Sequence, residues 1–205
     1  MLKLRHKDKR GVFKMRTRSF DTEKITYLSL FTALVVVLQY LGSFIRFGTF
    51  SVSLVLVPIV LGAAICGVWA GAWLGLVFSV MVFITGDAAF FLSLNVIGTI
   101  ITVLVKGTVA GLCAGLVYKL LVKFNNYLAV LVAAIVCPIV NTGIFLIGCS
   151  IFFFKDVSSW ATAEGMPVGA YMIVFLVGFN FIFELLFNIV LAPTVVRLID
   201  LKKKK

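Results

Sequence analysis

Val96–Val122 reads VIGTIITVLVKGTVAGLCAGLVYKLLV, an apolar run with one charge near its centre, Lys106, and a second only at its end, Lys119. Coiled as an α-helix at 1.5 Å per residue, such a run outreaches the ~30 Å hydrocarbon core of a bilayer. Lys106 then falls about ten residues in, roughly 15 Å deep and near the midplane. That is too deep to snorkel, so the ammonium must pair with an acid or face a water- or ligand-filled cavity. Gly107, Gly111 and Gly115 recur at four-residue intervals in the same run and form one flat face, which lets a neighbouring backbone approach closely. The stretch therefore predicts membrane helices packed backbone to backbone around a polar interior.

The rest of the chain has the same character. Mean hydropathy is +1.16, 62% of residues are hydrophobic and only 13% are charged, far from the composition of a soluble globular domain. Six apolar runs approach or exceed the roughly 20 residues that cross a bilayer: Ile25–Phe44, Phe50–Cys66, Val68–Thr85, Val96–Val122, Tyr127–Phe154 and Val168–Ile199. Gly67 alone separates the second from the third, so an alternative count merges them into one broken hairpin. The expected fold class is all-α: a polytopic membrane protein, a six-transmembrane-helix bundle with both termini cytoplasmic. It divides into a basic cytoplasmic segment (1–24), the membrane domain (25–199) and a basic cytoplasmic tail (200–205). Little chain is left over for a soluble catalytic domain.

Charge placement sets the orientation. Nine of the 19 Lys and Arg lie in residues 1–24 and five between Arg197 and Lys205. With Lys119 and Lys123 between the fourth and fifth runs, almost all the basic charge falls on one side, the cytoplasmic side by the positive-inside rule. The net charge of +11 is thus read as flanks next to anionic lipid, not as a nucleic-acid surface. The first run follows a long basic head and has no small-residue cleavage site after it, so no cleaved signal peptide is expected. Cys66, Cys113, Cys137 and Cys149 stand singly in apolar runs and read as small hydrophobes. Gly67, Gly71 and Gly75 give the third run a flat face like that of the fourth, read as intramolecular packing. Pro58, Pro138 and Pro193 are expected to break or kink their helices.

Candidate chemistry gathers around Lys106. Glu184 is the one carboxylate well inside a run, and Asn180 and Asn188 share its helix face, drifting only about 40° per four-residue step. A Lys106–Glu184 pair is the economical expectation; such a pair could also lock two helices together and bind nothing. Asn141 and Thr142 in the fifth run, Asn95 at the entrance of the fourth and Arg46 in the first outer connection add donors and acceptors from the midplane outward. The candidate substrate-binding residues are accordingly Arg46, Asn95, Lys106, Asn141, Asn180 and Glu184. The outer connections, with Asp87, Phe90, Phe91 and Trp160, form either a lid or an interfacial aromatic belt. No G-x-x-x-x-G-K-[ST] phosphate loop is present, and the one histidine, His6, lies in the basic head. ATP hydrolysis, a zinc site and Ser/His catalysis are not expected, nor is a cofactor.

The succession of TYLSLFTAL (26–34), SLVLVPIVLGA (53–63), GVWAGAWLG (67–75), VKGTVAGLCAGLVYK (105–119), PIVNT (138–142) and NFIFELLFNIVLAP (180–193) resembles the substrate-binding S components of energy-coupling factor (ECF) vitamin transporters, over about residues 24–200. The resemblance implies capture of a vitamin or related micronutrient from outside a bacterial cell membrane. It implies as partners a membrane coupling protein and two ATPase subunits that drive uptake, and a ligand seat in the outer half among the last three helices. It also implies docking through an alanine-x-x-x-alanine face on the first helix, where the matching positions of this chain are Ser29 and Ala33, a serine standing for the first alanine. The ligand would be a pantothenate-like acid met by Lys106 and Arg46, or a neutral, riboflavin-like one met by asparagines and aromatics. A membrane scaffold without a ligand and a solitary secondary transporter are the alternatives.

Overall fold

The computed structural model describes residues 22–44, 46–47, 50–51 and 54–203. The basic segment expected at 1–24 lies outside the described residues except for Thr22–Lys24, which open the first helix. In chain order the elements are α1 (Thr22–Gly42), the paired strands β1 (Arg46–Phe47) and β2 (Phe50–Ser51), α2 (Leu56–Cys66), α3 (Val68–Ile84), α4 (Ala89–Leu94), α5 (Val96–Leu121), α6 (Asn126–Phe152), α7 (Phe154–Ala163), α8 (Val168–Tyr171), a π-helical stretch (Met172–Val177) and α9 (Gly178–Lys203). Apart from the two-residue antiparallel pairing of Arg46 with Ser51 and Phe47 with Phe50, the described fold is helical.

Among the described residues, four helices are long and apolar enough to cross a membrane unaided: α1, α5, α6 and the Asn180–Leu201 part of α9. A fifth is reached if α7 and Val168–Val177, bent by 93°, are taken as one span. At 11 and 17 residues, α2 and α3 are shorter than the bilayer core requires of an upright helix. Two expected runs differ in detail. The second was drawn from Phe50, but its first residues enter a strand pair and the helix starts at Leu56, because hydropathy alone does not separate strand from helix. The sixth was drawn as one helix from Val168; it is interrupted at Gly178 (φ 6°, ψ −109°), after six residues of wider π coil. Glycine supplies the break because it holds a helix least well among non-proline residues.

Prolines disturb the helices less than expected. Pro58 sits in the first turn of α2, where its missing N–H costs nothing, and α6 and α9 run on through Pro138 and Pro193. Between α2 and α3 the chain turns at Gly67, whose φ of 107° is open to glycine and whose N–H returns to the Ala63 carbonyl at 3.0 Å.

Helix α5 is central and packs most extensively against α3 and α6. The two flat glycine faces meet each other. A Cβ built on Gly75 would run into the Gly107 carbonyl, and one on Gly71 into the Gly111 carbonyl, while Gly115 faces the Val68 backbone. Ser79 closes this seam, donating its hydroxyl to the Val103 carbonyl (2.7 Å) and the Gly75 carbonyl (3.0 Å). In lipid, where burial of apolar surface gives no drive for association, close approach and interhelical hydrogen bonds hold helices together. Large apolar side chains such as Trp69 (82% exposed), Val190 and Ile97 (71% each) point away from the bundle, as lipid-facing residues do. None of the four cysteines forms a disulfide; Cys137 and Cys149 are buried and Cys66 and Cys113 half-buried.

The two ends of the bundle differ. At one end, Tyr118 donates to Asn126 (3.0 Å), which donates to Asp200 (2.9 Å), tying α5, α6 and α9. At the other, α4, α7 and the π-helical stretch lie across the helix ends and bring a second apolar cluster, with Phe91, Cys149, Phe153, Val157, Met172 and Leu176.

Candidate functional site

A cavity of about 80 Å³ opens inside the bundle on the side of α4 and α7. Every long helix contributes to it: Gln39 from α1, Phe78 and Val82 from α3, Thr99, Thr102 and Lys106 from α5, Asn141, Thr142 and Phe145 from α6, and Asn180 and Glu184 from α9. Asp87 from the α3–α4 turn and Phe91 from α4 complete it.

Helix geometry explains the convergence. Thr99, Thr102 and Lys106 follow at three- and four-residue intervals and share one face of α5. The next residue, Gly107, belongs to the seam with α3, so the lysine stem leaves the helix beside its tightest contact. Its ammonium lies 5.5 Å from the centre of the Phe145 ring and 5.9 Å from that of Phe78, within cation–π range of both. Glu184 and Asp87 also act on it electrostatically. Glu184 is 3% exposed, a depth at which a carboxylate is costly without such company.

Asp87 folds inward from its turn. Gly86, with φ 78°, permits the reversal. The same oxygen, Oδ2, accepts from Gln39 Nε2 (2.8 Å) and from Thr85 Oγ1 (2.8 Å). The Gln39 bond ties α1 to the α3–α4 turn, and Gln39 is 1% exposed.

Of the residues expected from sequence, Lys106, Asn141, Asn180 and Glu184 line one cavity. Asn95 does not: its side chain caps α5 by accepting from the Gly98 N–H at 2.9 Å, the usual role of an asparagine just before a helix. Arg46 pairs in β1, and its side chain lies outside the described residues. Asn188, on the Glu184 face, is turned to its own helix, donating to the Glu184 carbonyl at 2.7 Å. Ser29 and Ala33 are exposed on α1. Sequence reading missed Gln39, Thr99 and Thr102 and left Asp87 in a loop. It took Glu184 as the one carboxylate well inside a run and Asp87 as part of an outer connection, whereas both line the same cavity.

The mouth is aromatic. Phe90 meets Trp160 of α7 at 5.4 Å and Phe91 at 5.3 Å, and Phe91 meets Phe145 and Phe153 at 5.5 and 5.1 Å between ring centres. Edge-to-face rings of this kind cover the cavity with apolar surface and leave its polar groups inside. Among the described residues no cluster of three or more His, Cys, Asp and Glu could hold a metal ion.

Comparison with known families matches residues 23–196 to the one described as "ECF transporter, substrate-specific component". Comparisons with curated proteins and with solved structures give no match.

Proposed function

The chain belongs to the ECF transporter substrate-specific component family, and from that membership we propose that it is the capture subunit of an ATP-driven importer, taking a small vitamin or related micronutrient from outside the cell. Such components are substrate-binding transport subunits and not enzymes, and the chain is a multi-pass membrane protein. The observation that carries the reading is the cavity in which Lys106, Glu184, Asp87, Asn141 and Asn180 meet inside an apolar bundle. Polar groups at that depth are expensive to keep for packing alone. Lys106, Asn141, Asn180 and Glu184 hold the ligand, with Arg46 carried over from the sequence as a further ligand contact. The chain carries no phosphate loop, so energy comes from two ATPase partners through a membrane coupling protein.

Mass spectrometry of whatever leaves with the purified, detergent-solubilised protein tests the reading. A stoichiometric water-soluble small molecule is expected. A protein that purifies with none, and takes up none on dialysis against vitamin mixtures, is a scaffold instead.

In the proposed topology α1, α2, α3, α5, α6 and the last helical stretch cross the membrane, with both termini cytoplasmic and the cavity toward the outside of a bacterial plasma membrane. In a cysteine-free background, Lys155→Cys should react with an impermeant maleimide on intact cells and Lys123→Cys only after permeabilisation. The reverse pattern overturns the orientation. Docking of the coupling protein is proposed on the exposed Ser29 and Ala33 of α1, small residues that permit close approach. Replacing both by Trp should abolish copurification with the coupling protein while ligand affinity changes less than about twofold, a few tenths of a kcal/mol. Retained copurification removes α1 from the interface.

A further inference from the structure

We propose that a groove between α1 and α9 seats one acyl chain of an anionic phospholipid, drawn from the leaflet where α1 starts and α9 ends. The site is separate from the polar cavity, and the inference goes beyond the capture reading.

Helices α1 and α9 each pack on α2, and the space between them is a groove of about 270 Å³. Leu34 and Leu38 line it from α1, Phe187, Leu191 and Leu198 from α9, and Leu61 from α2. Thr194 is the one polar residue among the described residues that line it. Leu34 is 39% exposed and Leu198 45%. The groove therefore opens sideways, where a membrane helix meets hydrocarbon.

Its dimensions select the occupant. Phe187 to Leu198 covers about 16 Å of helix, close to the ~15 Å of hydrocarbon in one leaflet. Spread over that length, 270 Å³ is a channel of about 16 Å² in section, roughly a fifth of the section of a helix ~10 Å across. A single polymethylene chain fits such a channel and a partner's helix does not. The proposed coupling-protein face also lies elsewhere. Leu34 and Leu38 stand about 140° round α1 from Ser29 and Ala33 respectively.

Charge selects the head group. The Lys24 carbonyl accepts from Cys66 Sγ (3.8 Å), Gly115 faces the Val68 backbone, and Tyr118 is joined through Asn126 to Asp200. The start of α1, the end of α9 and the α5–α6 turn thus share one end of the bundle. That end holds Lys24, Lys119, Lys123 and Arg197, with Lys202–Lys205 following in sequence, against Glu23 and Asp200. Arg197 is exposed and lies next to Leu198 and one turn from Thr194, so it borders the groove. A phosphate there meets a surplus of positive charge, as acidic lipids do in basic clefts between membrane helices.

The test is native mass spectrometry of the full chain, delipidated in mild detergent and mixed with equimolar phosphatidylglycerol and phosphatidylcholine of the same acyl chains. The expected result is one tightly held lipid, with phosphatidylglycerol favoured about fivefold or more, the worth of one basic residue at an anionic surface. Arg197→Gln should lower that preference about fivefold. Leu191→Trp, which fills the groove, should cut retention of either lipid about fivefold or more. Val190→Trp is the control, since Val190 is 71% exposed outside the groove, and it should retain lipid like the parent. Should Leu191→Trp fail to give monodisperse protein, Leu38→Phe on the opposite wall makes the same comparison. Equal retention by the groove variant and the control means a lipid belt without a site and overturns the proposal, as does a preference unmoved by Arg197→Gln. A groove variant that keeps its lipid but no longer copurifies with the coupling protein makes the groove a protein interface, which also overturns it.

Discussion

Lys106→Met is expected to lower the stability of the purified protein by about 3 kcal/mol, and Lys106→Met with Glu184→Gln to recover most of that loss. The lysine is the one cation among the described cavity residues, and Glu184, 3% exposed, lines the same cavity and attracts it electrostatically. Removing one member of a buried charge set leaves its partner uncompensated, which typically costs 3–5 kcal/mol, whereas removing both charges is often neutral. The check is a detergent thermal-shift series on the two single variants and the double. If Lys106→Met melts with the parent, or Glu184→Gln gives no rescue, the two charges do not depend on each other. A lysine whose single task is to contact ligand would lose affinity on substitution without losing stability.

Gly107→Val is expected to cost still more and to give aggregated protein. A Cβ at this position collides with Ser79 Oγ and lies 2.6 Å from the Gly75 carbonyl. Overpacking usually costs 1–3 kcal/mol through side-chain adjustment, but here the obstacle is backbone, which cannot rotate away. Gly143→Ala in α6 is the control: nothing lies within 4 Å of its added methyl, and Ala in a helix interior gains about 1 kcal/mol over Gly. Size-exclusion chromatography in detergent separates the outcomes. A monodisperse Gly107→Val protein with parental melting would mean that the α3–α5 seam is not close-packed.

Four of the residues that line the cavity could be picked out from sequence because a polar residue in a long apolar run has few structural excuses. Lys106, Asn141, Asn180 and Glu184 stood out in this way, and the structure brings them to one cavity. Gln39 and Asp87 did not, since each lies near the end of a run, where polar residues are common at the membrane surface. Only folding shows that the α3–α4 turn reverses at Gly86 and presses Asp87 back onto α1. Thr99 and Thr102 were passed over because threonine is tolerated in membrane helices by bonding its own backbone, as Thr99 does to the Asn95 carbonyl at 2.7 Å. Asn95 carried a signal that was available, an Asn immediately before an apolar periodic run, which marks a helix cap. The second run gave a similar warning: Gly48 and Thr49 separate Phe47 from Phe50, the pattern of a two-residue hairpin. Gly178 likewise marked the weak point of the sixth run, although the π coil before it leaves no pattern that hydropathy detects.

The glycine seam also bears on how tightly the protein can hold what it catches. Where two backbones touch there is no side-chain slack to take up, and Lys106 leaves α5 one residue from such a contact. The wall that carries the lysine is therefore as fixed with an empty cavity as with a full one, and little ordering entropy remains to be lost there on binding. The opposite wall, on α9, follows directly after a wide coil and a glycine break. Any adjustment to a ligand of different shape falls to that side. Variation in selectivity among close variants should therefore be sought around Gly178 and Asn180, and changes in the α3–α5 contact should register as loss of protein rather than as a change of taste.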